Sequence, residues 1–129
     1  VKVLSCQRLP NKGGSRDIVD PYVKVDMHGL GEDAKSFKTK TINDNGFNPT
    51  FNKGEGQVFE FEIVERESAI LRITVMDDDY GQSRDDFVGH CCIPVTCLRK
   101  GYRHVPLYDL SNGMIKLAGV LCNFSLEAL

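Results

Sequence analysis

Apolar and polar residues alternate with a period of two along most of this chain, and no segment keeps the 3.6-residue period of an α-helix for three turns. Alternation of this kind is typical of strands that bury one face against a core and expose the other. It is clearest at Phe59, Phe61 and Ile63, which Glu60 and Glu62 separate. We expect eight strands, at residues 1–6, 21–27, 36–42, 59–63, 70–75, 87–93, 102–107 and 116–126.

The segments between the expected strands are rich in glycine, proline, asparagine and aspartate, which favour turns. Because no helix is available to connect parallel strands, the pattern predicts an all-β fold, an eight-stranded antiparallel β-sandwich. The 129 residues suit one domain with a single core, so we expect one domain over residues 1–129. The chain begins inside an alternating run, without an initiator methionine or signal peptide, and we expect a piece of a longer protein.

Charge and cysteine content argue against several classes of protein. The net charge of −2 and the lack of an interleaved basic and aromatic stripe argue against binding to nucleic acid. No apolar run approaches the ~20 residues that a transmembrane helix needs. The five cysteines form an odd number without a C-x-x-C pair, so a disulfide framework is not expected. We therefore predict a cytoplasmic, monomeric protein whose thiols act as small apolar side chains.

Five carboxylates crowd into one loop between the fifth and sixth expected strands. Asp77, Asp78 and Asp79 follow one apolar run directly, and Asp85 and Asp86 precede the next. So many like charges repel one another unless a cation neutralises them or each side chain points separately into water. The loop therefore predicts either a metal site or a solvated acidic turn.

Strand order predicts that two further loops approach this acidic loop. In an antiparallel sandwich the loops after the first, third and fifth strands lie at the same end. The candidate ligands from these loops are Asp20, Asn45, Asp77, Asp79 and either Asp86 or Asp85. An oxygen-only set suits a hard cation, and Ca²⁺ accepts roughly six to eight oxygens at flexible angles. The set favours calcium, although each acid taken singly also fits a solvated turn or a turn cap.

Other metal and catalytic sites fit the sequence poorly. An EF-hand beginning at Asp77 would place Gly81 in a ligand position and Val88 where its bidentate glutamate belongs. A zinc site at residues 90–92 is disfavoured because adjacent strand residues point to opposite faces. An aspartate-based phosphatase or a sugar-nucleotide transferase would need a parallel α/β fold. Since no histidine has a neighbouring serine or cysteine in a nucleophile elbow, we predict no catalytic residue.

Three lysines from neighbouring strands, Lys24, Lys38 and Lys40, are expected on one outer face of the sandwich. Such a face is either a solvated surface that protects a sheet edge or a site for the phosphates of anionic lipids. We keep the lipid site as a secondary hypothesis beside the solvated surface.

The motifs in these strands and loops resemble those of the C2 domain, the calcium-dependent lipid-binding β-sandwich. The matching segments, in family order, are VDPYVKV at 19–25, KTKTI at 38–42, NGFNP at 45–49, VMDDD at 75–79 and DFVG at 86–89. Residues 42–49 and 101–105 are further similar to the C2 domain of phosphoinositide-specific phospholipase C.

The resemblance implies that calcium is held between loops at one end of the sandwich. It implies side-chain ligands at Asp20, Asn45, Asp77 and Asp79, and main-chain carbonyl ligands near Ile18 and Asp78. This chain departs from the family pattern at Gly14, where many members have an acid, although Asp17 is a candidate substitute. The segment between residues 79 and 87 is one residue longer than usual, which leaves the last ligand open between Asp85 and Asp86.

These features predict a regulatory domain rather than an enzyme. We expect Ca²⁺-dependent binding to anionic phospholipid membrane, which would dock a parent enzyme similar to phosphoinositide-specific phospholipase C. Arg16 and Arg84, near the loop tips, are candidate phosphate contacts. The expected partners are the membrane surface and the catalytic domain of the parent, with peripheral membrane association in the cytoplasm. The alternative is a structural interaction domain that packs on the catalytic domain and binds calcium weakly or not at all.

Overall fold

Eight strands and four short 3₁₀ helices appear in the computed structural model, which describes residues 1–10, 19–43, 47–78 and 84–127. The strands are β1 (Lys2–Gln7), β2 (Pro21–His28), β3 (Lys35–Lys38), β4 (Gln57–Val58), β5 (Ile70–Asp77), β6 (Asp86–Pro94), β7 (Gly101–Tyr108) and β8 (Met114–Phe124). The 3₁₀ helices lie at Gly31–Asp33, Asn52–Gly54, Arg66–Ser68 and Val95–Cys97. None of the helices in the described ranges is long and apolar enough to cross a membrane.

Neighbouring strands pair antiparallel, in the order β3-β2-β5-β6-β7-β8-β1-β4. The ladder between β6 and β7 is formed by the pair His90 and Tyr108, and the sheet folds over on itself there. Two layers result, β3-β2-β5-β6 and β7-β8-β1-β4, with the core between them. This arrangement confirms the predicted all-β fold of eight antiparallel strands.

The side chains between the layers are those that the alternation predicts. On β2 and β5, Val23, Val25, Ile73 and Val75 are all 0% exposed. The buried face of β8 consists of Ala118, Val120, Cys122 and Phe124. Removal of this apolar surface from water is the main force that holds the two layers together.

The fourth strand is where the sequence-based prediction is wrong. Instead of residues 59–63, β4 contains only Gln57 and Val58, which pair with Val3 and Lys2 of β1. The alternation at residues 59–63 reflects burial without strand pairing. Phe59, Phe61 and Ile63 are partly buried against the core although their backbone joins no ladder.

Aromatic side chains hold this unpaired segment against β3. The ring of Phe37 on β3 stacks on Phe59 with centroids 5.4 Å apart and meets Phe61 edge-on at 5.3 Å. The segment therefore links the two outermost strands, β3 and β4, through side chains. β3 also ends earlier than predicted, at Lys38, because the hydroxyl of Thr39 accepts the backbone N–H of Val23 at 2.9 Å.

Two of the five cysteines lie in the core. Cys6 and Cys122 are 1% and 0% exposed, as expected for small apolar side chains, whereas Cys92 and Cys97 are exposed, against that expectation. All five thiols are free. Burial raises the pKa of the Cys6 thiol and raises the pKa of Cys122 to about 12.

The buried thiols predict a loss of stability at alkaline pH. Above about pH 8.5, the usual pKa of a thiol, the unfolded chain loses protons that the folded core retains. Each buried thiol should therefore lower the free energy of unfolding by roughly 1.4 kcal/mol per pH unit, up to its folded-state pKa. Urea unfolding between about pH 8 and 10 measures this slope.

Matched variants test whether the core thiols cause the slope. Cys6→Ala should make the alkaline slope shallower, whereas Cys92→Ala, which removes an exposed thiol, should leave it as in the wild type. Equal slopes for all three proteins would contradict the prediction.

Candidate functional site

Two of the predicted loops meet where β2 begins and β5 ends. Pro21 pairs with Asp77 in the ladder, and because proline has no N–H, the preceding residue makes the bond instead. The backbone N–H of Asp20 donates to Oδ1 of Asp77 at 2.9 Å, and the N–H of Asp78 donates to the carbonyl of Asp20 at 2.9 Å. The half-exposed acids Asp20 and Asp77 are therefore held beside each other by the strand ends.

A bulge in β6 places a third acid opposite Asp77. Val75 pairs with Gly89 and Met76 pairs with Phe87, so Val88 is an extra residue in β6. After this bulge Asp77 pairs with Asp86, and directly opposite residues on antiparallel strands point to the same face. The bulge thus sets Asp86, rather than Asp85, across from Asp77.

Hydroxyl groups of the protein bind the two remaining described acids. Thr41 donates to Oδ2 of Asp78 at 2.7 Å, and the hydroxyl of Tyr22 donates to Oδ2 of Asp85 at 2.5 Å. Burial, and then the hydrogen bond to Asp85, raise the pKa of Tyr22, so its hydroxyl stays a neutral donor. Sequence reasoning missed Thr41 and Tyr22, because a hydroxyl residue beside an acid is too common to carry a signal.

The loop after β3 is the third of the predicted loops, and its last residues are hydrogen-bonded to the end of β1 and the residues just after it. The backbone N–H of Arg8 donates to Oδ1 of Asn48 at 3.0 Å, and the N–H of Leu9 donates to the carbonyl of Phe47 at 3.1 Å. Cys6 makes a further backbone bond to Pro49 at 3.0 Å. The described flanks of all three loops therefore lie at one end of the sandwich, as the strand order predicts.

Several predicted site residues fall outside the described ranges. These are the candidate ligands Ile18, Asn45 and Asp79 and the candidate phosphate contact Arg16. Within residues 1–10, 19–43, 47–78 and 84–127, no three Asp, Glu, His or Cys side chains converge as a metal site requires. The described candidates offer only oxygen donors at three adjacent strand ends, and such donors fit a hard cation. The metal assignments therefore stay predictions.

Two of the three predicted lysines, Lys24 and Lys38, share the outer face of the β3-β2-β5-β6 layer. Lys24 on β2 lies directly opposite Lys38 on β3, and Nζ of Lys38 stands 5.4 Å from the ring centroid of Tyr22. Lys40 is exposed just beyond β3, with its backbone N–H bonded to Oε1 of Gln57 at 2.8 Å. Arg84 is exposed next to the start of β6.

Thr74 continues the row of the lysine pair. It pairs with Lys24 across β2 and β5, is 4% exposed, and its hydroxyl has no hydrogen-bond partner among the described residues. A buried polar group without a partner is unusual in folded proteins. Sequence reasoning missed it because a threonine in an alternating strand is ordinary; only the strand register places it beside Lys24.

The sequence profile described as the C2 domain matches residues 1–110. The chain is a C2 domain. This finding confirms the resemblance drawn from the motifs, and it identifies a regulatory domain rather than a catalytic one, as predicted.

Segments of phospholipase C-type proteins are similar to this C2 domain. It is 40% identical over 129 residues to "Inactive phospholipase C-like protein 2" of Mus musculus. It is 37% identical over 128 residues to "1-phosphatidylinositol 4,5-bisphosphate phosphodiesterase delta-1" of Rattus norvegicus. Each alignment covers 98% of the chain, which spans only 11% and 16% of the lengths of these two relatives.

Solved structures agree with the family assignment. The crystal structure of PLC21 from L. pealei superimposes with a TM-score of 0.75 at 36% identity, covering 95% of this chain and 14% of the other. A domain of plant extended synaptotagmin 1, also of the C2 type, superimposes with a TM-score of 0.65 at 17% identity, covering 97% and 93%. The second similarity concerns the fold alone.

Proposed function

We propose that this C2 domain binds anionic phospholipid membranes in a calcium-dependent manner and thereby docks a longer protein of the phospholipase C kind. The observation that carries the proposal is the placement of Asp20, Asp77 and Asp86 at three adjacent strand ends. The three described carboxylates do not by themselves converge as a metal site requires. Acids at neighbouring strand ends nevertheless repel one another and repel lipid phosphates, and a divalent cation held with further ligands would offset that charge.

The side chains of Asp20, Asp77 and Asp86 would hold the cation. Asn45, Asp79 and the carbonyl groups of Ile18 and Asp78 complete the set that the family resemblance implies. Bound calcium supplies positive charge at an end that is otherwise acidic, so that phosphate oxygens are attracted there. Asp85 is the weaker candidate because its carboxylate accepts the hydroxyl of Tyr22.

The lysine face offers a second contact for phosphate groups. Lys24 and Lys38 are directly opposite each other, and the hydroxyl of Thr74, without a partner among the described residues, lies in the same row beside Lys24. Two neighbouring ammonium groups suit a phosphate, whereas Thr74 is only 4% exposed and its buried hydroxyl is not counted as a contact. Lys40 and Arg84 are exposed and would add positive charge, and Arg16, outside the described residues, stays a candidate phosphate contact.

Docking also implies partners and a location. We propose peripheral association of a monomeric domain with the cytoplasmic membrane surface, with the catalytic domain of the parent protein held nearby. The two relatives are much longer than this chain, which matches 11% and 16% of their lengths, and a longer parent protein is therefore part of the proposal. The activity of the parent protein itself is a further proposal, because one of these relatives is named as inactive.

Vesicle sedimentation tests the proposed function. With vesicles of phosphatidylcholine and phosphatidylserine, the domain should sediment in calcium and stay largely in the supernatant in chelator. Vesicles of phosphatidylcholine alone should bind little in either condition, because the attraction is to anionic headgroups. Equal sedimentation with calcium and with chelator would rule out a calcium-dependent mechanism.

A structural interaction domain is the second candidate, and the hydroxyl contacts favour it. Thr41 and Tyr22 hold Asp78 and Asp85 with protein donors, so part of the acidic loop is stabilised without metal. Thermal melting in calcium separates the two candidates, because a ligand that binds only the folded state raises the midpoint. A midpoint that calcium leaves unchanged would favour the structural domain.

A further inference from the structure

An open hollow of about 510 Å³ lies beside the predicted calcium loops. We call it the basic–apolar hollow; it is lined by Arg8, Leu9, Phe47, Asn48, Lys116 and Leu117. Phe47 is 54% exposed and Leu117 is 59% exposed, while Arg8 and Lys116 are exposed cations. Neither the candidate calcium ligands nor the lysine face uses any of these side chains.

A bulge in β8 turns two successive side chains of the hollow outward. Pro106 pairs with Gly119 and Tyr108 pairs with Met114, so β8 takes five residue steps where β7 takes two. In a regular strand one of two neighbouring side chains would face the core, but here both Lys116 and Leu117 are exposed. Leu117 has a φ of +62°, a conformation that leucine rarely adopts.

The other wall of the hollow is fixed by hydrogen bonds between the residues that follow β1 and the end of the loop after β3. Arg8 has a φ of +52°, and its N–H donates to Asn48 while the N–H of Leu9 donates to the carbonyl of Phe47. These bonds hold the exposed ring of Phe47 beside an arginine. Arg8 and Leu117, two positions with positive φ, thus both line the hollow, and such positions concentrate at functional sites.

We infer that the basic–apolar hollow is a membrane-contacting surface, in which Phe47 and Leu117 enter the headgroup region and Arg8 and Lys116 bind lipid phosphates. The inference rests on the proposed function, since it adds a second contact at the membrane-facing end. Charge complementarity selects an anionic bilayer as the occupant: apolar side chains with cations at their rim match acyl chains beneath phosphates. The contact itself needs no metal.

The position of the hollow supports this occupant. β1 runs toward the acidic end and β8 starts from it, so the hollow and the three predicted loops lie at the same end. A flat membrane would then touch both at once, and the two contacts would strengthen each other. Each apolar side chain transferred from water should strengthen binding by roughly tenfold.

A single tryptophan tests the contact, because the chain contains none. In Leu117→Trp, mixed phosphatidylcholine and phosphatidylserine vesicles with calcium should shift the indole emission to the blue, and brominated acyl chains should quench it. Leu30→Trp is the matched control, since Leu30 is 62% exposed but lies in the β2–β3 connection at the opposite end. Its emission should not change.

Serine substitutions give the energetic test. Phe47→Ser/Leu117→Ser should bind the same vesicles at least roughly tenfold more weakly while keeping the calcium-induced rise of the melting midpoint. Leu30→Ser/Val64→Ser removes two comparably exposed apolar side chains at the opposite end and should bind like the wild type.

The outcomes separate this inference from the proposed function. If the wild type sediments with calcium but the indole emission of the Leu117→Trp variant is neither shifted nor quenched, the hollow is not a membrane contact and only this inference fails. Equal loss of binding in both serine variants would overturn it in the same way. If the wild type does not sediment with calcium at all, the proposed function and the inference fail together.

Discussion

Replacing Asp77 with asparagine is expected to weaken calcium-dependent vesicle binding by at least roughly 10- to 100-fold, the range seen when a metal site loses a supporting group. Asp77 is the central acid of the site, because it accepts the N–H of Asp20 and pairs with Asp86 on the next strand. Asparagine keeps an oxygen that can accept the same N–H, so the strand ends should stay in place while one negative charge is lost. Vesicle sedimentation across a calcium titration measures the effect.

Three further substitutions make this expectation specific. Asp86→Asn should behave like Asp77→Asn, whereas Asp85→Asn should have a smaller effect because Asp85 accepts the hydroxyl of Tyr22. Glu62→Gln removes one charge from an exposed position in the connection between β4 and β5, away from the acidic loop, and should leave the calcium response unchanged. A calcium response that survives Asp77→Asn would remove Asp77 from the proposed ligand set.

The fold could be predicted from the sequence because burial and alternation coincide in most strands. β5 and β8 bury the alternate side chains that the pattern indicates, β2 is buried on both faces except at Lys24 and His28, and the bounds of the three strands differ from the prediction by at most two residues at either end. Residues 59–63 depart from this agreement, because a period of two indicates which side chains are buried and not whether the backbone pairs with another strand. Whether a segment pairs as a strand depends on residues far away in the sequence, and a local pattern carries no information about them.

The site was predicted in part for a similar reason. Residue chemistry and strand order bring Asp20 beside Asp77, and the structure places them there. The choice between Asp85 and Asp86 depends on the bulge at Val88, and a bulge changes pairing without changing the pattern of residue types. The hollow depends on a second bulge, which makes Leu117 an outward side chain in a strand that otherwise reads as regular.

At the end of the sandwich opposite the acidic loops, one carboxylate holds two connections together. Asp33 is 3% exposed, and its two oxygens accept the backbone N–H groups of Val64 and Glu65 at 2.9 Å each. It lies at the end of the 3₁₀ helix between β2 and β3, whereas its partners lie in the connection between β4 and β5. A buried carboxylate bound by two amides is a strong local link, since hydrogen bonds to charged groups exceed neutral ones.

Asp33→Ala is expected to lower the free energy of unfolding by roughly 2–4 kcal/mol, because it leaves two amides without their acceptor. Asp33→Asn keeps one acceptor oxygen and should lose about half as much. Urea unfolding measures both variants against Glu32→Ala, in which the neighbouring exposed acid is removed and stability should stay near that of the wild type. Because Asp33 lies at the end away from the predicted ligands, calcium should raise the melting midpoint of Asp33→Asn as much as that of the wild type. If Asp33→Asn abolished the calcium response, the two ends of the sandwich would be coupled and the stabilising link could not be separated from the site.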